Sequence, residues 1–188
     1  MRVNLIRHGM TMANEKRQYC GRTDLPLSEL GKKNLTALKG TIVYPPADLY
    51  ISSGMKRATE TLQIIYDRAP DIFIEEFTEM DFGDFELKSY NELKNKPDYQ
   101  FWINNIDIVA CTNGENRIYF NDRVFDGFSI LTGMNTGSAA VVCHGGVIVS
   151  IMERLFPGQK NFYEWQPGYG RGYALDVTSK KAALVTAI

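Results

Sequence analysis

The chain has 188 residues, enough to bury a full hydrophobic core in one domain. Apolar residues make up 44% of it and charged residues 23%, the balance of an ordinary globular protein. A formal net charge of -1 excludes a strongly basic surface of the kind nucleic acid requires, and no apolar run is long enough to span a bilayer.

Val3-Asn4-Leu5-Ile6 reads as a short buried strand, ended at once by Arg7-His8-Gly9. Such an ending sets an imidazole beside a guanidinium at a sheet end, where ligands collect in open α/β folds. The glycine removes bulk where a ligand would approach the backbone. Met10 to Leu27 is polar and too irregular for strand or helix; it reads as a functional loop, with Asn14 seven residues after Arg7 and Gly21 following Cys20 near a turn. Ser28 is expected to cap a helix whose core face carries Leu30, Leu35 and Leu38 and whose stop is Gly40. Pro45-Pro46 is a turn, and Leu49-Tyr50-Ile51 a second strand.

Ser52-Ser53-Gly54 ends that strand and begins a helix from Met55 to about Arg68, with Ala58, Leu62 and Ile65 on its buried side. Arg57 lies in the first turn and leans back over the sheet end, where free backbone N–H groups favour an anion. Serines at the cap plus this arginine make a candidate phosphate corner; a capped surface helix with a solvated arginine is the other reading. Ile72-Phe73-Ile74 is a third strand. Beyond it, Glu75 to Glu86 is acidic and interleaved with Phe77, Phe82 and Phe85. A carboxyl held beside aromatic rings is desolvated, titrates higher and can donate a proton near neutral pH. Glu79, Asp81, Asp84 and Glu86 all qualify, and an acidic surface loop stapled by its aromatics is equally compatible with the residues.

Ser89 to Asn105 reads as short helices broken near Pro97, an excursion off the sheet carrying Tyr90, Tyr99, Phe101 and Trp102. Gly114-Glu115-Asn116 starts a helix to about Leu131, with Phe120, Val124, Phe128 and Leu131 on one face. Ala139 to Cys143 is another apolar strand, ended by His144-Gly145-Gly146, so both histidines of the chain fall at strand ends. A helix from Val147 to Phe156 follows. Gly168-Tyr169-Gly170-Arg171-Gly172 lacks the spacing of a dinucleotide fingerprint and reads as a flexible loop from which Arg171 could touch an anionic substrate. Tyr173–Val177 and Ala183–Thr186 read as an antiparallel hairpin around Ser179-Lys180 at one sheet edge.

Cys20, Cys111 and Cys143 are far apart, odd in number and form no C-x-x-C. That pattern suits a reducing cytoplasm, not a disulfide framework or a zinc site, and two histidines are too few for a His-rich metal site. The start of the chain has no basic region followed by a long apolar segment, so a cytoplasmic protein without a leader is expected. Two imidazoles and two arginines converging on one point suit a doubly charged phosphoryl group. One neutral imidazole can act as nucleophile, and the other, if charged, can hold equatorial oxygens. A protonated carboxyl on the far side would donate to the leaving oxygen. The cations are built in, so no metal is called for.

Arg7-His8-Gly9-x-Thr11-x-x-Asn14 resembles the signature of the histidine phosphatase superfamily, the group containing phosphoglycerate mutase. Gly21-Arg22-x-Asp24-x-Pro26-Leu27-Ser28-x-x-Gly31, Ser52-Ser53-x-x-x-Arg57-Ala58-x-x-Thr61, Glu79 to Glu86, Gly114-Glu115-Asn116 and His144-Gly145-Gly146 resemble its later segments, in the right order and over nearly the whole chain. The resemblance implies a three-layer α/β/α sandwich, with a mostly parallel sheet and an antiparallel edge strand. It implies one domain over residues 1–188, in which about 86–135 forms a helical excursion shaping the substrate side. By the same match His8 is the nucleophile; Arg7, Arg57 and His144 bind the phosphoryl group; and Glu79 is the proton donor. Thr11, Asn14, Cys20, Gly21 and Gly145 would complete the substrate pocket, with no metal and no cofactor. The implied partner is a small phosphorylated metabolite, neither nucleic acid nor membrane; the oligomeric state is left open.

Met10 stands where the family usually has Glu or Gln, Leu87 where glycine is common, and Asn116 in place of serine. None of these removes a member of the phosphoryl-transfer set. The length fits the short phosphatase branch. Mutase-type phosphoryl transfer and a non-catalytic phosphoester-binding protein are the alternatives.

Overall fold

The computed structural model describes residues 1–178 and 182–188. Six strands form one sheet: β1 (Arg2–Arg7), β2 (Leu49–Ser52), β3 (Ile72–Phe73), β4 (Ser138–Cys143), β5 (Gly172–Val177) and β6 (Ala182–Ala187). Their order across the sheet is β3-β2-β4-β1-β5-β6. The pairs β3–β2, β2–β4 and β4–β1 are parallel, whereas β1–β5 and β5–β6 are antiparallel. The expected hairpin edge is present, although its tip at Ser179-Lys180 lies outside the described residues.

Alternation along β1 and β4 sends side chains to two cores. On one face Val3, Leu5, Val141 and Cys143 meet α6 (Arg117–Thr132) and α7 (Gly145–Leu155). On the other, Ile6, Ala140 and Val142 meet α2 (Glu29–Lys39) and α3 (Lys56–Tyr66). The result is a three-layer α/β/α arrangement. A third cluster, Phe85, Leu93, Tyr99, Trp102 and Cys111, gathers around α4 (Tyr90–Leu93) and α5 (Pro97–Asn104), the excursion off the sheet. A short helix, α8 (Phe162–Trp165), packs beside α7.

Three local expectations are corrected. The stretch after Gly9 contains a helix, α1 (Met12–Glu15), because Thr11 and Asn14 form a reciprocal capping box over its first turn. Ser28 does cap α2, accepting from the Gly31 N–H at 3.0 Å, but Leu30 is exposed. Gly31 and Leu35 form the buried face of α2, which approaches so closely that a Cβ on Gly31 would lie 2.1 Å from the Met10 carbonyl oxygen. The third concerns Ser52 and Ser53. Neither caps α3: its N-cap is Met55, with no side-chain cap bond, and the serine hydroxyls turn elsewhere.

Adjacent strands β1 and β4 are followed by helices on opposite faces, α2 and α7. Such a divergence opens a crevice at the strands' carboxyl ends. Register brings Arg7 beside Cys143, so His8 and His144 emerge side by side into that crevice. The antiparallel partner of β1 approaches closely as well: a Cβ on Gly172 would sit 1.7 Å from the Leu5 carbonyl oxygen. Gly172→Ala is therefore expected to destabilise the protein by about 2–3 kcal/mol, read as a lower urea midpoint at unchanged slope. An unchanged midpoint would show that β5 yields without cost.

Candidate active site

The two imidazole rings lie 5.0 Å apart at an edge-on angle of 61°. Both histidines are buried, at 4% exposure for His8 and 0% for His144. Nδ1 of His8 lies 2.6 Å from the Gly9 carbonyl oxygen. A carbonyl only accepts, so Nδ1 carries the proton and Nε2 is left with the lone pair. The Gly9 turn is held in place by Thr61, which accepts from the Gly9 N–H at 2.9 Å and donates to the Arg57 carbonyl at 2.6 Å.

His144 has the opposite tautomer. Arg57 Nε donates to its Nδ1 at 3.3 Å, so Nε2 carries the proton and donates to Ser53 Oγ at 2.8 Å. Burial is the main reason that His8 and His144 both titrate well below the ordinary imidazole value. The Arg57 and Arg7 guanidiniums add to the effect, and His8 itself adds to it at His144. Both rings are thereby held neutral, so the charge available to an anion comes from the arginines.

Arg57 is fully buried, and its fork donates to the carbonyls of Gly21 at 2.7 Å and Thr23 at 3.0 Å. Arg7 donates to the Pro167 carbonyl at 2.9 Å and stacks on Tyr169, its guanidinium carbon 4.1 Å from the ring centre. Arg7 Nε is buried and has no hydrogen-bond partner among the described residues. It is a donor held ready beside the histidines.

A cleft of about 770 Å³ opens over this group, within the usual range for ligand sites. Arg7, Asn14, Cys20 and Glu79 line it. Of the four acidic candidates, Glu79 reaches the cleft, accepting from the Gly146 N–H at the start of α7 and from its neighbour Met80, each at 3.0 Å. Glu86 is engaged elsewhere: its carboxylate accepts from the N–H groups of Gly21, Arg22, Thr23 and Phe82. Asp81 accepts from the Gly83 N–H, and Asp84 accepts from the Asn113 amide at the surface.

The remaining expected pocket residues divide by role. Thr11 and Asn14 are joined through their capping box, yet Asn14 also lines the cleft. Cys20 lines it too, and burial pushes its thiol up, away from the reactive thiolate. The Gly21 N–H points to Glu86, and its carbonyl to Arg57. A Cβ on Gly145 would lie 2.9 Å from Gln166 Nε2 and 3.2 Å from Arg7 Nε, so a side chain there would press on both. Arg171 is exposed and acts electrostatically on Tyr44, which packs against the α2–α3 face; Tyr169 is the member of the glycine-rich loop that meets the site. Ser53 belonged to the candidate phosphate corner with Arg57, and its hydroxyl meets His144. Tyr169 was not anticipated as a site residue, since nothing in its glycine-rich context marked it.

This geometry and sequence place the chain in a known class. It belongs to branch 1 of the histidine phosphatase superfamily, whose family model matches residues 3–187. Among curated relatives, the adenosylcobalamin/alpha-ribazole phosphatase of Escherichia coli (strain K12) is 30% identical over 191 residues, covering 98% of this chain and 94% of the relative. The crystal structure of the alpha-ribazole phosphatase from Shigella flexneri matches with a TM-score of 0.87 at 30% identity, over 98% of this chain and 95% of the other. Phosphoglycerate mutase from Thermus thermophilus matches with a TM-score of 0.75 at 26% identity, over 100% of this chain and 98% of the other. Among the described residues, no helix is long and apolar enough to cross a membrane.

The two neutral histidines tie stability to pH. Their folded-state values lie below the ordinary 6.5, so at lower pH the unfolded chain binds protons that the folded chain refuses. Their contribution is fully present above about pH 6.5 and is lost as pH falls below it, with a limiting slope of about 2.7 kcal/mol per pH unit for the pair. Urea midpoints in phosphate-free buffer at pH 7.5 and 5.5 should show this fall. The double variant His8→Asn, His144→Asn should flatten it; an equal fall in the variant would assign the effect to other groups.

Proposed function

We propose that the chain is a metal-independent phosphatase that hydrolyses a small phosphomonoester through a phosphohistidine on His8. One observation carries the reading. The Gly9 carbonyl fixes the His8 proton on Nδ1, while burial beside Arg57 keeps the ring neutral, so Nε2 holds a free electron pair, on a ring that lies beside the cleft-lining Tyr169. That is the state a nitrogen nucleophile needs.

In the proposed sequence Nε2 attacks phosphorus, the ester P–O bond breaks, and its electron pair leaves on the ester oxygen. Glu79 gives that oxygen a proton. Water then attacks the phosphohistidine, Glu79 takes the proton from the water, and the N–P bond breaks to return neutral His8. Arg7 and Arg57 hold the phosphoryl oxygens as charge moves across them, and the dianion draws a proton onto His144, which then adds a third cationic donor. Arg7 and Glu79 are both partly open to solvent, so water has a route to the intermediate. That favours hydrolysis over the return of the phosphoryl group to a second acceptor. Relatives named as phosphatases support the same direction. The three free cysteines accord with a cytoplasmic setting.

The test is hydrolysis of p-nitrophenyl phosphate with excess EDTA. Wild-type turnover should survive the chelator. His8→Ala should lose about 10⁴-fold or more, and Glu79→Gln about 10²- to 10⁴-fold. The acid limb of kcat/KM should lie below pH 6.5, because His8 resists protonation. Near-wild-type turnover by His8→Ala would sink the proposal.

A further inference from the structure

The face of α7 that begins beside Glu79 continues down the cleft. Gly146, Val149, Ser150 and Glu153 are spaced i, i+3, i+4 and i+7, a single stripe of the helix, and all four line the cleft. At 1.5 Å per residue the stripe runs about 10 Å from the Glu79 end to Glu153. Phe82, Trp102, Phe120 and Phe162 give the cleft aromatic walls.

The far end is polar again, and it is not self-satisfied. Ser150 is 6% exposed. Among the described residues neither its hydroxyl nor the Asn121 carboxamide makes a hydrogen bond, and both groups line the cleft. Glu153 offers one oxygen to Arg117 at 2.8 Å and keeps the other unengaged. Arg117 also donates to Asp107 at 2.8 Å, so this cation is shared between two carboxylates. A second hollow of about 220 Å³ opens on the same Asn121, Ser150 and Glu153, with Phe125 and Arg154 beyond. Polar groups on a cleft wall that have no protein partner are open to a ligand that completes them.

We propose that Asn121, Ser150 and Glu153 form a second recognition subsite, one that takes the neutral, hydrogen-bond-donating head of an elongated, ring-bearing phosphomonoester. The assignment rests on the phosphomonoesterase reading above. The phosphoryl group sits at the histidines, a flat ring lies between the aromatic walls, and N–H or O–H groups on its far edge donate to Glu153, Ser150 and Asn121. A short ester cannot cover the distance. A carboxylate or phosphate head has no proton to give the unengaged oxygen of Glu153 and sets like charge against it.

The test compares wild type, Ser150→Ala and Glu153→Gln on p-nitrophenyl phosphate, on 3-phosphoglycerate and on ring-bearing esters (the nucleoside 5′-monophosphates and flavin mononucleotide). In the wild type at least one ring-bearing ester should exceed both short esters in kcat/KM. Each variant should lose about tenfold or more on that ester, chiefly through KM, and stay within about twofold on p-nitrophenyl phosphate. Parallel losses on all esters would assign the residues a structural role and overturn the subsite. So would unchanged selectivity, or a preference for 3-phosphoglycerate. If wild type hydrolyses nothing, the phosphatase reading fails separately. Thermal stabilisation of His8→Ala by the same esters then reads the subsite directly: greater stabilisation by a ring-bearing ester than by inorganic phosphate, abolished by Glu153→Gln, supports it, and equal stabilisation overturns it.

Discussion

The site depends on a guanidinium that is fully enclosed and, among the described residues, forms no ion pair with a carboxylate. Arg57 meets two loop carbonyls and one imidazole nitrogen. These acceptors satisfy its hydrogen bonds without neutralising its charge, which is costly in a dry interior. The same loop faces the other way onto Glu86, whose carboxylate gathers the N–H groups of Gly21, Arg22 and Thr23. The peptide dipoles of residues 21–23 thus bridge a buried cation and a carboxylate that never touch. After burial, this surplus positive potential is the next cause that depresses both imidazoles, and it makes the crevice a receptor for a dianion before any ligand has been considered.

Topology delivers the partners of Arg57 to one point. His8 and His144 come from neighbouring parallel strands whose following helices diverge, and Arg57 comes from the first turn of the helix after β2, on the far side of β4. Glu79 arrives from the long connection between β3 and β4, and is held against the first turn of α7 by the Gly146 N–H. A Cβ on Gly146 would lie 2.4 Å from Glu79 Oε1, so any larger residue there displaces the Glu79 carboxylate. Four separate segments therefore meet within a rigid frame, and the aromatic excursion around Tyr99 and Trp102 adds one wall of the cleft above them.

Much of this was readable from residues alone, and the boundary has physical causes. Histidines that follow apolar runs declare themselves, because strand ends are where α/β sheets hold ligands. The serine cap of α2 and the hydrophobic stripe of α6 likewise follow from local rules. The choice among Glu79, Asp81, Asp84 and Glu86 does not, since it turns on which carboxylate is claimed by distant backbone N–H groups. The α1 capping box was hidden inside a polar stretch that looked irregular. Leu30 was misplaced because a close approach of backbone at Gly31 rotates the buried face of α2. Arg171 attracted notice by its charge, while the neutral Tyr169 two residues earlier makes the contact with Arg7, and charge counting cannot see a stacking partner.

The placement of β1 has a consequence for how the molecule assembles. The strand that carries His8 is central, flanked by β4 and β5, and both neighbours come more than 130 residues later in the chain. During synthesis β1 has no sheet partner until the segment 138–143 has been made. Pairings this distant in sequence are slow to form, and they leave an apolar strand edge uncovered in the meantime. His8 is thus translated well before the strand that positions it, so a chain that stops short of residues 138–143 cannot present the two histidines side by side.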